Sequence, residues 1–148
     1  MENMVTATQM FLYARRLMEA YGVVLKPLCA ETGMPQMAMD ILLFLANNPD
    51  HATAHEICQL RGFKPGIVSV HVDKLVSEGL LERCAIPGDR RKTYLKVTDA
   101  ASSLVERGRA IQKIFAQRLM DGLSEDEVHC LVHCLDTFHQ NIDRIRNA

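Results

Sequence analysis

Three consecutive basic side chains, Arg90, Arg91 and Lys92, lie between two short strand-like segments in the middle of the chain. Guanidinium and ammonium groups bind phosphate oxygens, arginine with a bidentate fork and lysine as a point charge. Asp89 precedes the three, and we expect its carboxylate to steady one arginine through a charge-assisted hydrogen bond. The cluster predicts a basic finger that contacts phosphates.

The net charge of the 148-residue chain is −1, which by itself argues against a polyanionic partner. The distribution of the charges along the chain changes this interpretation. Residues 61–96 contain eight Lys and Arg but four Asp and Glu, whereas the rest of the chain carries nine and fourteen. The middle is therefore basic and the flanks are acidic. A localised basic patch is the feature that phosphate binding requires.

The five cysteines form no recognisable framework, because their number is odd and their spacing is scattered. Free thiols are therefore expected. Cys29 lies near a predicted helix end close to Lys26, and a nearby cation lowers the pKa of a thiol, so oxidation sensing at Cys29 stays open. Cys58, Cys84 and Cys134 are expected to be small buried hydrophobic residues.

Residues 129–134 contain two pairs of side chains that are each four residues apart on a predicted helix. His129 and His133 share one face, and Cys130 and Cys134 share another. A zinc site needs four ligands, and no third or fourth ligand is evident for either pair. We predict no metal site and no cofactor, with metal sensing by the histidine pair as an alternative.

Enzyme, export and membrane signatures are missing from the sequence. It contains no Walker loop, nucleophile elbow, zinc-protease helix or dinucleotide fingerprint, so we predict that the protein is not an enzyme. Residues 1–4 lack the basic and apolar blocks of a signal peptide, and no apolar run approaches a membrane span. We expect a cytoplasmic protein without a membrane partner.

Hydrophobic periodicity and capping signals define the elements that position the basic cluster. Pro27 and Gly33 flank the end of the first helix, and Thr98 is expected to cap the helix after the hairpin. The predicted order is helices over 6–26, 35–47, 53–61 and 65–78, strands over 80–86 and 93–97 joined by a turn over 87–91, and helices over 99–120 and 124–146. The fold class is mainly α with a small β-hairpin wing.

The helices over 53–61 and 65–78 are joined by about three residues including Gly62, which is helix-turn-helix spacing. Val68, Val72, Leu75 and Val76 share one face of the second helix, which should pack on the domain. The opposite face is slim enough for a DNA major groove. The candidate DNA-binding residues on this helix and its start are Lys64, Pro65, Gly66, Ile67, Ser69, Val70 and Lys74.

Each of these candidates has an expected role. Ile67 and Val70 can meet thymine methyl groups, and Ser69 and Lys74 supply polar contacts. Pro65 begins the helix, and the free N–H groups of the first turn are suited to hold a phosphate.

The stretch DRRKTYLKVT at 89–98 resembles the wing signature of the MarR family of transcriptional regulators, and residues 68–83 are similar to its recognition helix and first wing strand. The resemblance covers nearly the whole chain in element order. It implies a triangular homodimer whose terminal helices interlock. Each subunit then offers one winged helix-turn-helix to half of a pseudo-palindromic operator in double-stranded DNA.

By the same resemblance, Arg91 is the minor-groove residue, Asp89 is its partner, and Arg90 and Lys92 lie near phosphates. Val70 and Ile67 depart from the family pattern, in which arginine and threonine are frequent at these positions. Recognition here should therefore depend more on apolar contact and DNA shape.

The expected division is an N-terminal dimerisation helix over 1–34, a winged helix-turn-helix over 35–97 and C-terminal dimerisation helices over 98–148, intertwined as one domain. The apolar surface of the terminal helices exceeds what a thin helical layer covers alone, which favours a homodimer over a core within one subunit. The residues expected at this face are Met10, Leu17, Met18, Tyr21, Leu119, Val128, Leu131, Leu135, Phe138, Ile142 and Ile145.

The predicted function is sequence-specific DNA binding by a transcriptional regulator, expected to be a repressor. Release by a small-molecule inducer is implied by the resemblance alone, since no motif identifies a pocket. His51 and His55 near the helix-turn-helix are expected to be surface or capping residues. The alternatives are a thiol- or metal-sensing regulator on the same fold, or a winged helix that binds another protein.

Overall fold

The computed structural model describes residues 5–50 and 52–148, so residues 1–4 and His51, on which the signal-peptide and capping expectations partly rest, lie outside the described residues. Four helices precede a β-hairpin, and two long helices follow it. The elements are α1 (Ala7–Thr32), α2 (Gln36–Asn47), α3 (Ala54–Arg61), α4 (Pro65–Ser77), β1 (Leu81–Ile86), β2 (Asp89–Val97), α5 (Ser102–Leu119) and α6 (Glu125–Arg146). The predicted fold class is confirmed.

Three helices begin at capping boxes, in which a hydroxyl accepts from the third backbone N–H and the side chain at that position reaches back. Thr53 and Ser124 form two of these boxes, with distances of 3.2 Å and 3.3 Å from the backbone nitrogen to the hydroxyl oxygen. Thr6 forms a third box with Gln9. These local hydrogen bonds explain why the starts of α3 and α6 were predictable.

The first helix is longer than predicted, because it runs through Pro27 to Thr32. A proline inside a helix removes one hydrogen bond and crowds the preceding turn. Leu25 and Leu28 on either side of it are buried in the core, and their burial compensates for that loss. The helix ends instead at Gly33, whose left-handed φ of 66° suits a glycine.

The core surrounds α2, seven of whose twelve residues are buried. Packing against it brings together elements that are distant in sequence. Besides residues of α2, the core contains Leu25, Leu28, Met34, Ile57, Val68, Val72, Leu75, Leu81, Leu95, Ala101 and Val105. A single hydrophobic cluster therefore packs both α4 and the hairpin against α2.

The chain forms two compact units, one ending at Gln112 and the other comprising Lys113–Ala148. Tyr21, one of the residues expected at the dimer face, is partly buried and packs against the core of the first unit. Its hydroxyl accepts a hydrogen bond from Gln112 at 2.7 Å, which orients the ring inward. Within the second unit, α6 has no buried residue.

Gly108 on α5 is a point of close packing in the first unit. A Cβ atom there would lie 2.4 Å, 2.8 Å and 3.1 Å from three carbon atoms of the fully buried Leu43. We expect Gly108→Ala to lower the free energy of unfolding by about 1–3 kcal/mol, because overpacking outweighs the gain of up to about 1 kcal/mol in helix propensity. Urea denaturation at fixed protein concentration measures the change.

Gly66→Ala is the matched control, since no atom lies within 4 Å of the position that its Cβ would take. This variant should be neutral or more stable by up to about 1 kcal/mol. Equal stability changes in the two variants would contradict the tight contact between Gly108 and Leu43.

The hairpin differs from the sequence prediction at its turn. Only Pro87 and Gly88 form the turn, and Asp89, which pairs with Ile86, already belongs to β2. Gly88 adopts a φ of 85°, which L side chains rarely adopt. Thr93 pairs with Ala85, so the three basic residues at 90–92, called here the basic bulge, interrupt the register between the two pairs.

Thr98 does not cap the following helix as predicted. Its hydroxyl donates to the carbonyl of Gly79 at 2.6 Å, and its backbone N–H donates to Leu80. A 3-10 turn over Asp99–Ala101 then leads into α5. The threonine therefore closes the base of the hairpin, because a partner distant in sequence competes with the helix start. Within residues 5–50 and 52–148, no helix is both long and apolar enough to cross a membrane.

Candidate nucleic-acid interface

The two faces of α4 are divided as the periodicity predicted. Val68, Val72 and Leu75 are buried on the core side. On the opposite side Ile67 is 42% exposed and Val70 is 65% exposed, and Gly66 and Ser69 are also exposed. The exposed face thus carries short or branched apolar side chains without a bulky charge. Such a face is slim enough to enter a major groove.

The connection between α3 and α4 is held by a small electrostatic cluster. The Arg61 guanidinium lies 5.3 Å from the centroid of the Phe63 ring and 3.9 Å from the Asp40 carboxylate of α2. Burial raises the pKa of Asp40, and the neighbouring Arg61 opposes that rise. Gly62 supplies the left-handed turn with a φ of 68°. These contacts fix where α4 begins relative to α2.

The start of α4 leaves one backbone donor available to an external acceptor. The N–H groups of Ile67 and Val68 both donate to the carbonyl of Lys64 at 3.1 Å, and Pro65 has no N–H. Among the described residues, the N–H of Gly66 therefore remains for an outside partner. Lys64 is the N-cap residue next to it, and its side chain makes no cap hydrogen bond. A free backbone donor and a cation therefore lie together at a helix N-terminus, which favours anions.

Ion pairing divides the basic residues of the middle segment into two groups. Lys74 pairs with Glu78 at 2.8 Å, Arg83 with Asp73, and Arg61 with Asp40. Lys74, predicted as a polar contact of the groove-facing helix, is thus held within its own helix. Within the segment 61–96, the basic residues for which no ion pair is recorded are Lys64, Arg90, Arg91, Lys92 and Lys96.

Asp89 organises the basic bulge differently from the expectation. Its Oδ1 accepts a hydrogen bond from the backbone N–H of Arg91 at 2.9 Å. A short aspartate side chain pairs more readily with a backbone N–H two residues ahead than with the mobile guanidinium of a long arginine side chain. The expected pairing with an arginine side chain is therefore replaced by an Asx-type turn. The guanidinium of Arg91 stays exposed.

Two adjoining clefts separate α3, α4 and the hairpin. One, of about 290 Å³, is lined by residues that include His55, Ser69, Arg83 and Thr93. The other, of about 530 Å³, is lined by residues that include His55, Arg91 and Lys92. Arg83 and Thr93 also line the first cleft and were not predicted as site residues. They belong to different strands and come together only when the hairpin forms, so no local sequence pattern marks them.

Solved proteins share this architecture. Transcriptional regulator PA3341 is 25% identical, with a TM-score of 0.79 over 90% of this chain and 97% of its own. A MarR family transcriptional regulator from Listeria monocytogenes, solved in complex with a 26mer DNA, is 15% identical, with a TM-score of 0.74 over 93% and 88%. The second likeness concerns the fold alone.

Sequence comparison points to the same family. The HTH-type transcriptional regulator YdgJ of Bacillus subtilis (strain 168), itself uncharacterised, is 24% identical over 114 residues, which are 77% of this chain and 69% of the relative. A MarR family model matches residues 32–92, from the end of α1 to the basic bulge. The winged helix-turn-helix of this chain therefore resembles that of the MarR family of transcriptional regulators.

The segment that the family model matches contains all the candidate DNA-binding residues, and α5 and α6 lie beyond it. Recognition of the family therefore rests on the winged helix, not on the terminal helices. The features outside the match, including the exposed apolar side chains of α6, have to be interpreted from their own physical chemistry.

The environments of the thiols bear on one alternative and one expectation from the sequence. Burial, together with the nearby Asp40, raises the pKa of Cys29, which argues against the alternative that Lys26 makes this thiol reactive. The reason is that α1 continues past Pro27 and carries Cys29 against the core. Cys134, expected to be buried, is exposed, because α6 buries none of its residues in this chain. Cys58 and Cys84 are half-buried.

Proposed function

We propose that this chain is a MarR family transcriptional regulator that binds double-stranded DNA in a sequence-specific manner through α4 and the hairpin. The observation that carries the proposal is the placement of the basic residues of the segment 61–96 for which no ion pair is recorded. They lie at the start of α4 and along β2, on either side of the slim face of α4. Phosphates flank both DNA grooves, so this arrangement complements a duplex. The Listeria monocytogenes protein of the same fold is bound to DNA.

In the proposed complex, α4 enters the major groove and the basic bulge reaches the adjacent minor groove. Ile67 and Val70 contact thymine methyl groups, and Ser69 supplies a polar contact. Lys64 and the N–H of Gly66 hold a phosphate at the helix start. Arg91 lies in the minor groove, where a narrow A·T-rich segment attracts an arginine, and Arg90 and Lys92 contact phosphates.

We further propose a homodimer that binds a pseudo-palindromic operator. In this assignment residues 35–97 read DNA, while residues 1–34 and 98–148 form the dimer. Support comes from α6, a 22-residue amphipathic helix with no buried residue. Most helical stability in proteins comes from packing of the apolar face, so this face needs a partner.

Repression, with release of DNA by a small molecule, completes the proposal. A ligand that favours one spacing of the two α4 helices by 1–3 kcal/mol changes operator affinity about 5- to 150-fold. The clefts beside Ser69 and Arg91 bring such a ligand next to the DNA-contacting residues. We place this regulator in the cytoplasm and assign it no enzymatic activity, in agreement with the regulators that it resembles.

Fluorescence anisotropy on the DNA upstream of its own coding sequence, and on pooled genomic fragments, tests the central proposal. We expect affinity to fall linearly with salt on a double-logarithmic scale, by about 10³–10⁵ between 50 and 200 mM for 6–10 phosphate contacts. Val70→Ala removes two methyl groups at about 0.8 kcal/mol each, so affinity for the specific site should fall about tenfold. Binding to random DNA should stay unchanged.

Val23→Ala is the matched control, because Val23 is an exposed valine of α1 that belongs neither to the proposed DNA interface nor to the residues expected at the dimer face. It should bind both DNAs as the wild type does. Failure of the wild type to bind any pooled fragment, or binding that ignores salt, would contradict the proposal. That result would favour a winged helix that binds another protein.

A further inference from the structure

Cys130 and Cys134 form a thiol pair that the proposed DNA-binding function does not use. They are one helical turn apart on α6, and both are exposed. Side chains four residues apart on a helix lie on one face as neighbours, and the Cys130 thiol beside it raises the pKa of Cys134. Two neighbouring sulfur atoms on one helix face can both bind a single third atom.

A disulfide between these two cysteines is incompatible with the helix. Cβ atoms four residues apart on a helix are about 5–6 Å apart. A disulfide requires a Cβ–Cβ distance of about 3.5–4.5 Å. Oxidation would therefore need α6 to unwind at its centre, although it is continuous from Glu125 to Arg146. An atom that bridges the two sulfurs needs no such distortion. Two bonds to a bridging atom span a greater distance than the single S–S bond of a disulfide.

We propose that Cys130 and Cys134 form a two-thiolate site for a soft, thiophilic cation of low coordination number, with Cu(I) as its representative. Thiolates are soft ligands that select such ions. Zinc would need four ligands, and no group of three or more His, Cys, Asp or Glu residues suited to a metal occurs among residues 5–50 and 52–148. His129 and His133 stay outside the site, on a different face of α6.

Binding at this site is a ligand exchange without electron transfer. Two S–H bonds break, two S–Cu bonds form, and two protons pass to the solvent. The product, a bis-thiolate Cu(I) unit, carries one negative charge in place of two neutral thiols. The reaction is therefore favoured by rising pH, because both thiols must lose a proton.

The position of the thiol pair suggests what occupancy changes. Leu131 and Phe138, one to four residues from the cysteines along α6, belong to the apolar face that we assign to the homodimer. A charged unit at the edge of that face should weaken the homodimer. This consequence rests on the proposed function, whereas binding of Cu(I) itself does not.

Anaerobic titration of the reduced full-length chain with Cu(I), in competition with a chromophoric Cu(I) chelator, tests the inference. We expect one tightly held Cu(I) per chain, ultraviolet sulfur-to-copper absorption, and release of two protons. Cys130→Ser and Cys134→Ser should each lower the affinity at least 100-fold. Cys58→Ser, which changes a half-buried thiol elsewhere, is the matched control and should retain full binding.

Equal Cu(I) binding by the wild type, Cys130→Ser and Cys134→Ser would overturn the inference, and so would displacement of Cu(I) by a small excess of Zn(II). Circular dichroism shows whether each serine variant keeps its helices, as expected for an exposed position. DNA binding is measured separately on the metal-free protein. A chain that binds Cu(I) but no DNA would refute the proposed function and leave this site standing.

Discussion

Replacing Arg91 with alanine should lower the affinity of each subunit for its half of the operator about 10- to 100-fold while leaving the fold intact. A hydrogen bond to a charged group contributes about 1.5–3 kcal/mol, and 1.4 kcal/mol corresponds to a factor of ten. Arg91 is exposed, and its backbone N–H, not its guanidinium, is held by Asp89. The side chain is therefore free to leave the hairpin surface and enter the minor groove. Anisotropy at several salt concentrations measures the effect.

The matched control is Arg15→Ala, which removes the same charge from α1. Arg15 has a side chain 70% exposed and pairs with Glu19 at 3.5 Å, away from the proposed interface. We expect little change in DNA affinity, whereas Arg91→Ala should also reduce the salt slope by about one counterion. Similar affinities for the two variants would mean that net charge, not the hairpin, governs binding.

Phe138→Glu should convert the proposed homodimer into monomers and thereby remove tight operator binding. The Phe138 side chain on α6 is 54% exposed in the single chain. In a two-fold dimer the substitution acts twice, and each buried, unpaired carboxylate costs several kcal/mol. We expect at least a 100-fold weaker dimer. Sedimentation velocity over a range of protein concentrations measures it.

Gln140→Glu is the matched control on the solvated face of α6, and it should keep the dimer and its DNA affinity. A wild type that remains monomeric at high concentration would refute the homodimer. So would a Phe138→Glu dimer as tight as that of the wild type. The two sets of variants also separate the two roles, because Arg91→Ala should weaken DNA binding without altering the oligomeric state.

Features that depend on neighbouring residues in the chain were predictable from the sequence. Thr53 and Ser124 begin helices because their hydroxyls satisfy backbone donors only three residues away. The buried and exposed faces of α4 follow from helical periodicity, which places Val68, Val72 and Leu75 together. The order of helices and strands, and with it the resemblance to the MarR family, follows from such patterns between residues a few positions apart in the chain.

Features that depend on burial and on partners distant in sequence were decided by the tertiary structure. α1 continues through Pro27 because Leu25 and Leu28 are buried in a core that α2 builds. That continuation moved Cys29 to the core and raised its pKa.

The sequence by itself determined that a slim helix and a basic hairpin follow one another on a helical scaffold. Only the tertiary structure decided which cations are neutralised and which remain exposed. Glu78 pairs with Lys74 and Asp73 with Arg83, whereas the basic bulge opens between Asp89 and Thr93. The amino-acid composition does not distinguish the paired charges from the unpaired ones. The energy of an ion pair depends on the distance between its atoms, and only the folded chain sets that distance.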